Sequence, residues 1–287
     1  MDFLLGFIEE FLKIVLINGI VDNLGGLFDE VNNRVGVIAS TVGTPPAAWQ
    51  PGVFSLIRNI SETVVLPIAG IIITFLATYE LLNLIVDKNN LNDVDTWMFF
   101  KLVFKTFIAI LILSNTFNIV MAVFDVAQSV INSAGGLIAG STQVTVDILA
   151  EFEASLWERE LGSLLGLWLH TIFIELTVRA LSLVIFVIVY GRMVEIFLLT
   201  SLAPIPLATL SNREFGGMGQ NYFKSLCAIA LQGLLILVCV GIYAVLVQNI
   251  ATSGNPITAI WTVVGHTILL AFTLFKTGSV AKSVLGC

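Results

Sequence analysis

Charge is what this sequence has least of. Asp, Glu, Lys and Arg make up 11% of its 287 residues, where a soluble domain carries about 25%. Apolar residues make up 57%, more than one water-soluble core can bury, which points to a polytopic membrane protein. Cations are scarcer still: 13 Lys and Arg against 20 acids, for a net charge of −7. A nucleic-acid surface needs basic patches to displace counterions, so no high-affinity DNA binding is expected.

Cysteine and histidine are nearly missing. Cys227 and Cys239 lie in an apolar run and Cys287 is the last residue. Without a CxxC or a Cys/His cluster, neither a disulfide framework nor a metal site is expected. The final "VLGC" puts cysteine too late for a prenylation box. His170 and His266 stand singly in apolar tracts and are read as helix–helix hydrogen-bond partners. No nucleophile, base and orienting group occur in a recognisable set, so no enzyme activity and no cofactor are expected. The opening "MDFLLGFIEEFLK" lacks the basic start and small-residue cleavage site of a signal peptide and is read as mature protein.

Apolar runs are what the sequence has in quantity. Crossing ~30 Å of hydrocarbon takes about 20 residues. Five tracts are long enough: about 64–86, 99–123, 164–190, 225–247 and 257–275. The expected fold is therefore all-α, a polytopic membrane protein with about five transmembrane helices, one re-entrant or broken helix and amphipathic extramembrane helices.

The expected organisation has four parts. Residues 1–61 form an extracytoplasmic N-terminal region: an amphipathic helix over 2–20, with Phe3, Phe7, Phe11, Ile14 and Val15 at helical spacing, then the turn-rich "GTPPAAWQPG". Residues 62–123 hold the first two spans. Residues 124–163 form an extracytoplasmic loop: "INSAGGLIAGSTQ", then an amphipathic acidic helix in "DILAEFEASLWERELG" with Ile148, Leu149, Phe152, Leu156 and Trp157 on one stripe. Residues 164–287 hold the third span, a broken segment at 193–210, the last two spans and a short tail. No internal repeat is visible, so an inverted-repeat transporter has no direct support.

Lysine and arginine set topology. Lys88, Lys101 and Lys105 follow the first span, Arg213 and Lys224 precede the fourth, and Lys276 and Lys282 lie near the C-terminus. All three segments fit the cytoplasmic side together, with the N-terminus outside and the C-terminus inside. The 124–163 connection has one arginine against six acids, and the 248–256 loop has no charge. One crossing over 164–190 then requires 193–210 to enter and leave by the same face. "SLAPIP" supplies a break at Ala203, Pro204 and Pro206, since proline removes a donor and clashes with the preceding turn. Re-entrant half-helices and a proline-kinked sixth helix are both open.

Glu175 and Arg179 lie four apart, mid-way along the third tract, on one helix face. Charges at membrane depth are costly, so that face should meet protein or a water-filled cavity. Gly216, Gly217 and Gly219 in "EFGGMGQNYFK" lack the strand and lysine of a phosphate loop and are read as a flexible cytoplasmic hinge.

Four stretches carry a resemblance: "DKNNLNDVDTWMFFKLVFKTF", "YGRMVEIFLLTSLAPIPLAT", "GGMGQNYFKSL" and "LFKTGSVAKS". They resemble TrbL-type conjugal transfer proteins, the polytopic inner-membrane component of type IV secretion systems (the sixth protein of the VirB operon). The likeness is to versions on conjugative elements of Gram-positive bacteria and covers nearly the whole chain. It implies a channel or scaffold subunit in the bacterial cytoplasmic membrane, surrounded by membrane lipid. It also implies a homo-oligomeric ring, a pentamer being the best-known case, partnered by other secretion-system subunits. Relaxase-bound single-stranded DNA would pass it transiently. The rival classes are an independent small-molecule or ion transporter, with Glu175 and Arg179 at its site, and a holin-like or purely structural membrane protein.

Overall fold

A computed structural model describes residues 2–87, 96–139, 147–250 and 256–287. Every element among them is helical: α1 Asp2–Val42, α2 Pro46–Trp49, α3 Pro51–Ile60, α4 Leu66–Asp87, α5 Thr96–Ser114, α6 Thr116–Ala139, α7 Asp147–Trp157, α8 Leu161–Leu202, α9 Pro204–Thr209, α10 Gly216–Ile250 and α11 Pro256–Leu285. A single wide π-turn, Ser61–Val65, joins α3 to α4. Six helices are long and apolar enough to cross a membrane, so the chain is an all-α polytopic membrane protein. Expectations for the loops at 88–95 (with Lys88), 140–146 and 251–255 lie outside the described residues.

The residues group into two compact units. The first holds Met1–Val42, Asn132–Val189 and Leu235–Thr277. There α1 runs along α8: Gly19 faces Trp168 where a Cβ would stand 2.7 Å from the indole nitrogen, and one helical turn on, Asn23 Nδ2 donates to Thr171 Oγ1 at 3.1 Å. α1 continues to Val42, well beyond the expected end near residue 20. Ile17, Ile20, Leu24, Ile38 and Val42 are buried at spacings that keep one face inward, and that periodicity outweighs the Asn and Gly residues between them. Between α10 and α11, Tyr243 and Thr267 share a buried hydroxyl bond of 2.8 Å.

The second unit holds Gly43–Ile131, Tyr190–Leu234 and Gly278–Cys287. Trp49 of α2 packs on Tyr190 and Phe197, with ring centroids 5.5 and 5.8 Å apart. α4 and α5 run antiparallel. Lys105 pairs with Glu80, Ala109 and Leu113 pack with Ala69 and Ile73, and Phe117 of α6 meets Phe54 of α3. Contacts thus move steadily one way along both strands of chain, so α5 and α6 follow one track. It bends at Asn115. Ser114 Oγ, Asn115 Nδ2 and Thr116 Oγ1 each donate to a carbonyl one turn back, and such back-bonding bends helices. The tract expected as one span over about 99–123 is divided between two helices, α5 and α6, that meet at Asn115.

α5 shows what surrounds this unit. Leu102, Ala109 and Leu113 are buried, while Phe99, Phe100, Phe104 and Phe107 are exposed. Four exposed phenylalanines on one helix need an apolar solvent.

Candidate functional site

α8 sets the site. It is 42 residues long, about 63 Å at 1.5 Å per residue, against ~30 Å of hydrocarbon. Large apolar side chains stay exposed along it from Leu165 to Leu202, a stretch of roughly 56 Å by the same rise. A bilayer covers about half of that length.

Glu175 and Arg179 sit on this helix in the first unit. Arg179 Nη2 donates to Glu175 Oε1 along the helix face. The Arg179 side chain is 71% exposed and that of Glu175 24%, and their neighbours Phe173, Leu176 and Leu183 are exposed as well. An arginine at the centre of a lipid-facing helix costs about 2.5–3.5 kcal/mol on insertion scales. A surface i,i+4 pair returns only about 0.3–0.5 kcal/mol. The pair does not offset the cost of facing lipid, so this face suits water or protein.

In the second unit the chain reverses at α9. Residues 193–202, expected as a separate half-helix, continue α8 without a break, and the interruption is confined to Ala203. Pro204 and Pro206 occupy the first and third positions of α9. The first four N–H groups of a helix have no internal partner, so two prolines there sacrifice no bond of α9 while ending α8. Ala203 and Pro204 are buried, and α9 packs against α4 and α5.

Polar contacts close the reversal. Thr209 Oγ1 donates to Pro206 O at 2.8 Å and accepts from Gly219 N at 3.1 Å. Asn212 Oδ1 accepts from the N–H groups of Glu214 and Phe215 at 2.9 and 3.0 Å, capping the entry to α10. Gly216, Gly217 and Gly219, expected as a hinge, form the first turns of α10. They are not equivalent. A Cβ on Gly219 would stand 2.6 Å from Pro206 O, one on Gly216 would stand 3.3 Å from Leu210 O, and one on Gly217 would meet nothing within 4 Å. Gly219 is required by the close approach of two backbones.

One residue of this unit escapes a reading by sequence. Arg192, placed by its position at the end of a span, is 5% exposed. Its Nε donates to Ile229 O on α10 at 3.2 Å. A Cβ on Gly233 would lie 2.5 Å from its Nη2, so the missing side chain makes room for the guanidinium. Among the described residues it has no carboxylate partner. The signal was the pair of Arg192 in one apolar tract and a glycine, Gly233, in the next.

His170 and His266 each bond a carbonyl of their own helix four residues back, Gly166 O and Thr262 O, both at 2.7 Å. Among the described residues no group of three His, Cys, Asp or Glu side chains is arranged to hold a metal.

A family model described as "TrbL/VirB6 plasmid conjugal transfer like protein" matches residues 31–204. The matched stretch includes Glu175, Arg179, Arg192, Ala203 and Pro204; Pro206 and the three glycines of α10 lie beyond it. No curated protein and no solved structure matches the chain.

Proposed function

The chain belongs to the TrbL/VirB6 plasmid conjugal transfer like family, whose model covers more than half of it, and from that membership we propose its finer role. It is a membrane channel or scaffold subunit of a conjugative type IV secretion system. It helps relaxase-bound single-stranded DNA cross the cytoplasmic membrane. It works as a homo-oligomeric ring beside other secretion-system subunits, with its N-terminus outside and its C-terminus in the cytoplasm.

The exposed face of α8 carries this reading. An apolar face about twice as long as the hydrocarbon is thick, bearing an exposed Arg179, is ill-suited to lipid along its whole length. A neighbouring copy covers the apolar excess, and the charged pair lies at that contact or along the path. The distribution of Lys and Arg supports the orientation. With 13 cations in 287 residues, the subunit guides DNA without gripping it, which suits a conduit that must release its cargo.

The test is cross-linking in native membranes. Cys227, Cys239 and Cys287 are replaced by alanine, and Arg179→Cys is introduced. A bis-maleimide should give a covalent dimer, the largest product that one cysteine per chain allows. Monomer alone, at several reagent lengths, contradicts the assembly.

A further inference from the structure

One concave feature of the first unit is not used by this reading. A groove of about 300 Å³ is lined on α8 and its approach by Arg159, Ser163, Gly166, Leu167, His170, Thr171 and Ile174, and on α11 by Trp261. That volume is at the lower end of the range for small-ligand sites.

Its chemistry is graded along its length. Arg159 and Ser163 stand at one end, His170 and Trp261 meet edge to face in the middle with centroids 6.4 Å apart, and Leu167 and Ile174 supply apolar wall. Ser163 to Ile174 is 11 residues of helix, roughly 16 Å at 1.5 Å per residue, or one leaflet of a ~30 Å hydrocarbon core. The polar end coincides with the start of α8 at Leu161.

The polar groups divide in the same way. Thr171 is taken up by Asn23 and by Trp168 O. His170 Nδ1 donates to Gly166 O, and Ser163 Oγ donates to Glu160 O, leaving its lone pairs outward. The Arg159 side chain has no hydrogen bond or ion pair among the described residues, although Glu158 and Glu160 flank it in sequence. Among the described residues the groove therefore offers a cation with no bonded carboxylate, above an apolar wall of acyl-chain length.

We infer that this groove holds one phospholipid, its phosphate at Arg159 and one acyl chain along Leu167 and Ile174. The site is a fixed lipid position between α8 and α11.

Gly166 gives a clean test, because a Cβ there meets nothing within 4 Å. Gly166→Leu puts a bulky side chain into the groove from a position whose Cβ meets no neighbour, and it replaces a weak helix former. The full chain, purified in mild detergent, is exchanged into nanodiscs containing phosphatidylglycerol and phosphatidylcholine. Retained lipid is then read by native mass spectrometry. The wild type should keep one lipid per chain after release from the disc. Gly166→Leu should lower that occupancy at least tenfold with a melting temperature no lower than that of the wild type. Arg159→Gln should remove any preference for the anionic lipid, and soluble glycerol phosphate should not compete. Equal occupancy in Gly166→Leu and wild type overturns the site, as does absence of retained lipid from the wild type. Cross-linking of a Gly166→Cys variant to a second copy also overturns it, since a protein neighbour would then fill the groove. None of these results depends on DNA transfer, so failure here leaves the conjugation reading untouched.

Discussion

Arg192 is a costly residue to bury. A buried cation with a single carbonyl partner loses its hydration and gains little in return. Hydrophobic replacements of buried charges are often neutral or stabilising. Arg192→Met is therefore expected to leave the melting temperature in detergent unchanged or higher, while DNA transfer falls at least tenfold. A lower melting temperature with normal transfer contradicts this and assigns Arg192 to packing. The glycines of α10 give a second contrast at the same scale. Gly219→Ala forces a methyl group onto the Pro206 carbonyl at 2.6 Å and should cost about 1–3 kcal/mol. Gly217→Ala enters open space and should stabilise the helix by about 0.5–1 kcal/mol. Thermal melts of the two variants should move in opposite directions. If both lose stability equally, the close approach at Gly219 is not what the fold depends on.

The reversal at α9 is over-determined. Proline ends α8, but Thr209, Asn212 and Gly219 separately fix the path of the chain into α10. Pro204→Ala with Pro206→Ala should thus keep a C-terminal reporter on its original side of the membrane. Adding Asn212→Ala removes a cap worth ~1 kcal/mol, and membranes should then contain a fraction of chains with the reporter inverted. Inversion by the proline changes alone contradicts this division of labour. The break itself was legible in "SLAPIP", because proline chemistry is local. That residues 193–202 continue α8 was not, since continuity there depends on packing such as Tyr222 Oη donating to Leu199 O at 3.0 Å. The interruption at Asn115 was missed for a related reason. Ser114, Asn115 and Thr116 read as ordinary polar interruptions until their bonds to carbonyls are seen. The length of α1 was present in the spacing of Ile17, Ile20 and Leu24, but masked by a composition that looks like loop. The site divides along the same line. Glu175 and Arg179 share a face by arithmetic alone, whereas the burial of Arg192 rests on Gly233, forty-one residues away.

At the scale of the molecule, the exposed apolar surface is the governing fact. Phenylalanines on α5 and the long face of α8 leave a surface that water does not tolerate and that a bilayer covers only in part. On the proposed reading, neighbouring subunits of the secretion system supply the remaining cover. An independent transporter would not need its neighbours in the element, whereas a secretion subunit is useless without them. The central claim is that this chain is an obligatory part of DNA transfer. The most direct measurement is transfer frequency from donor cells in which its gene is deleted without polar effects and restored in trans. Deletion should reduce transfer to background. The wild-type chain should restore it, and Glu175→Ala with Arg179→Ala should restore it at least tenfold less well at equal abundance in the membrane. Undiminished transfer from the deletion strain would contradict the account.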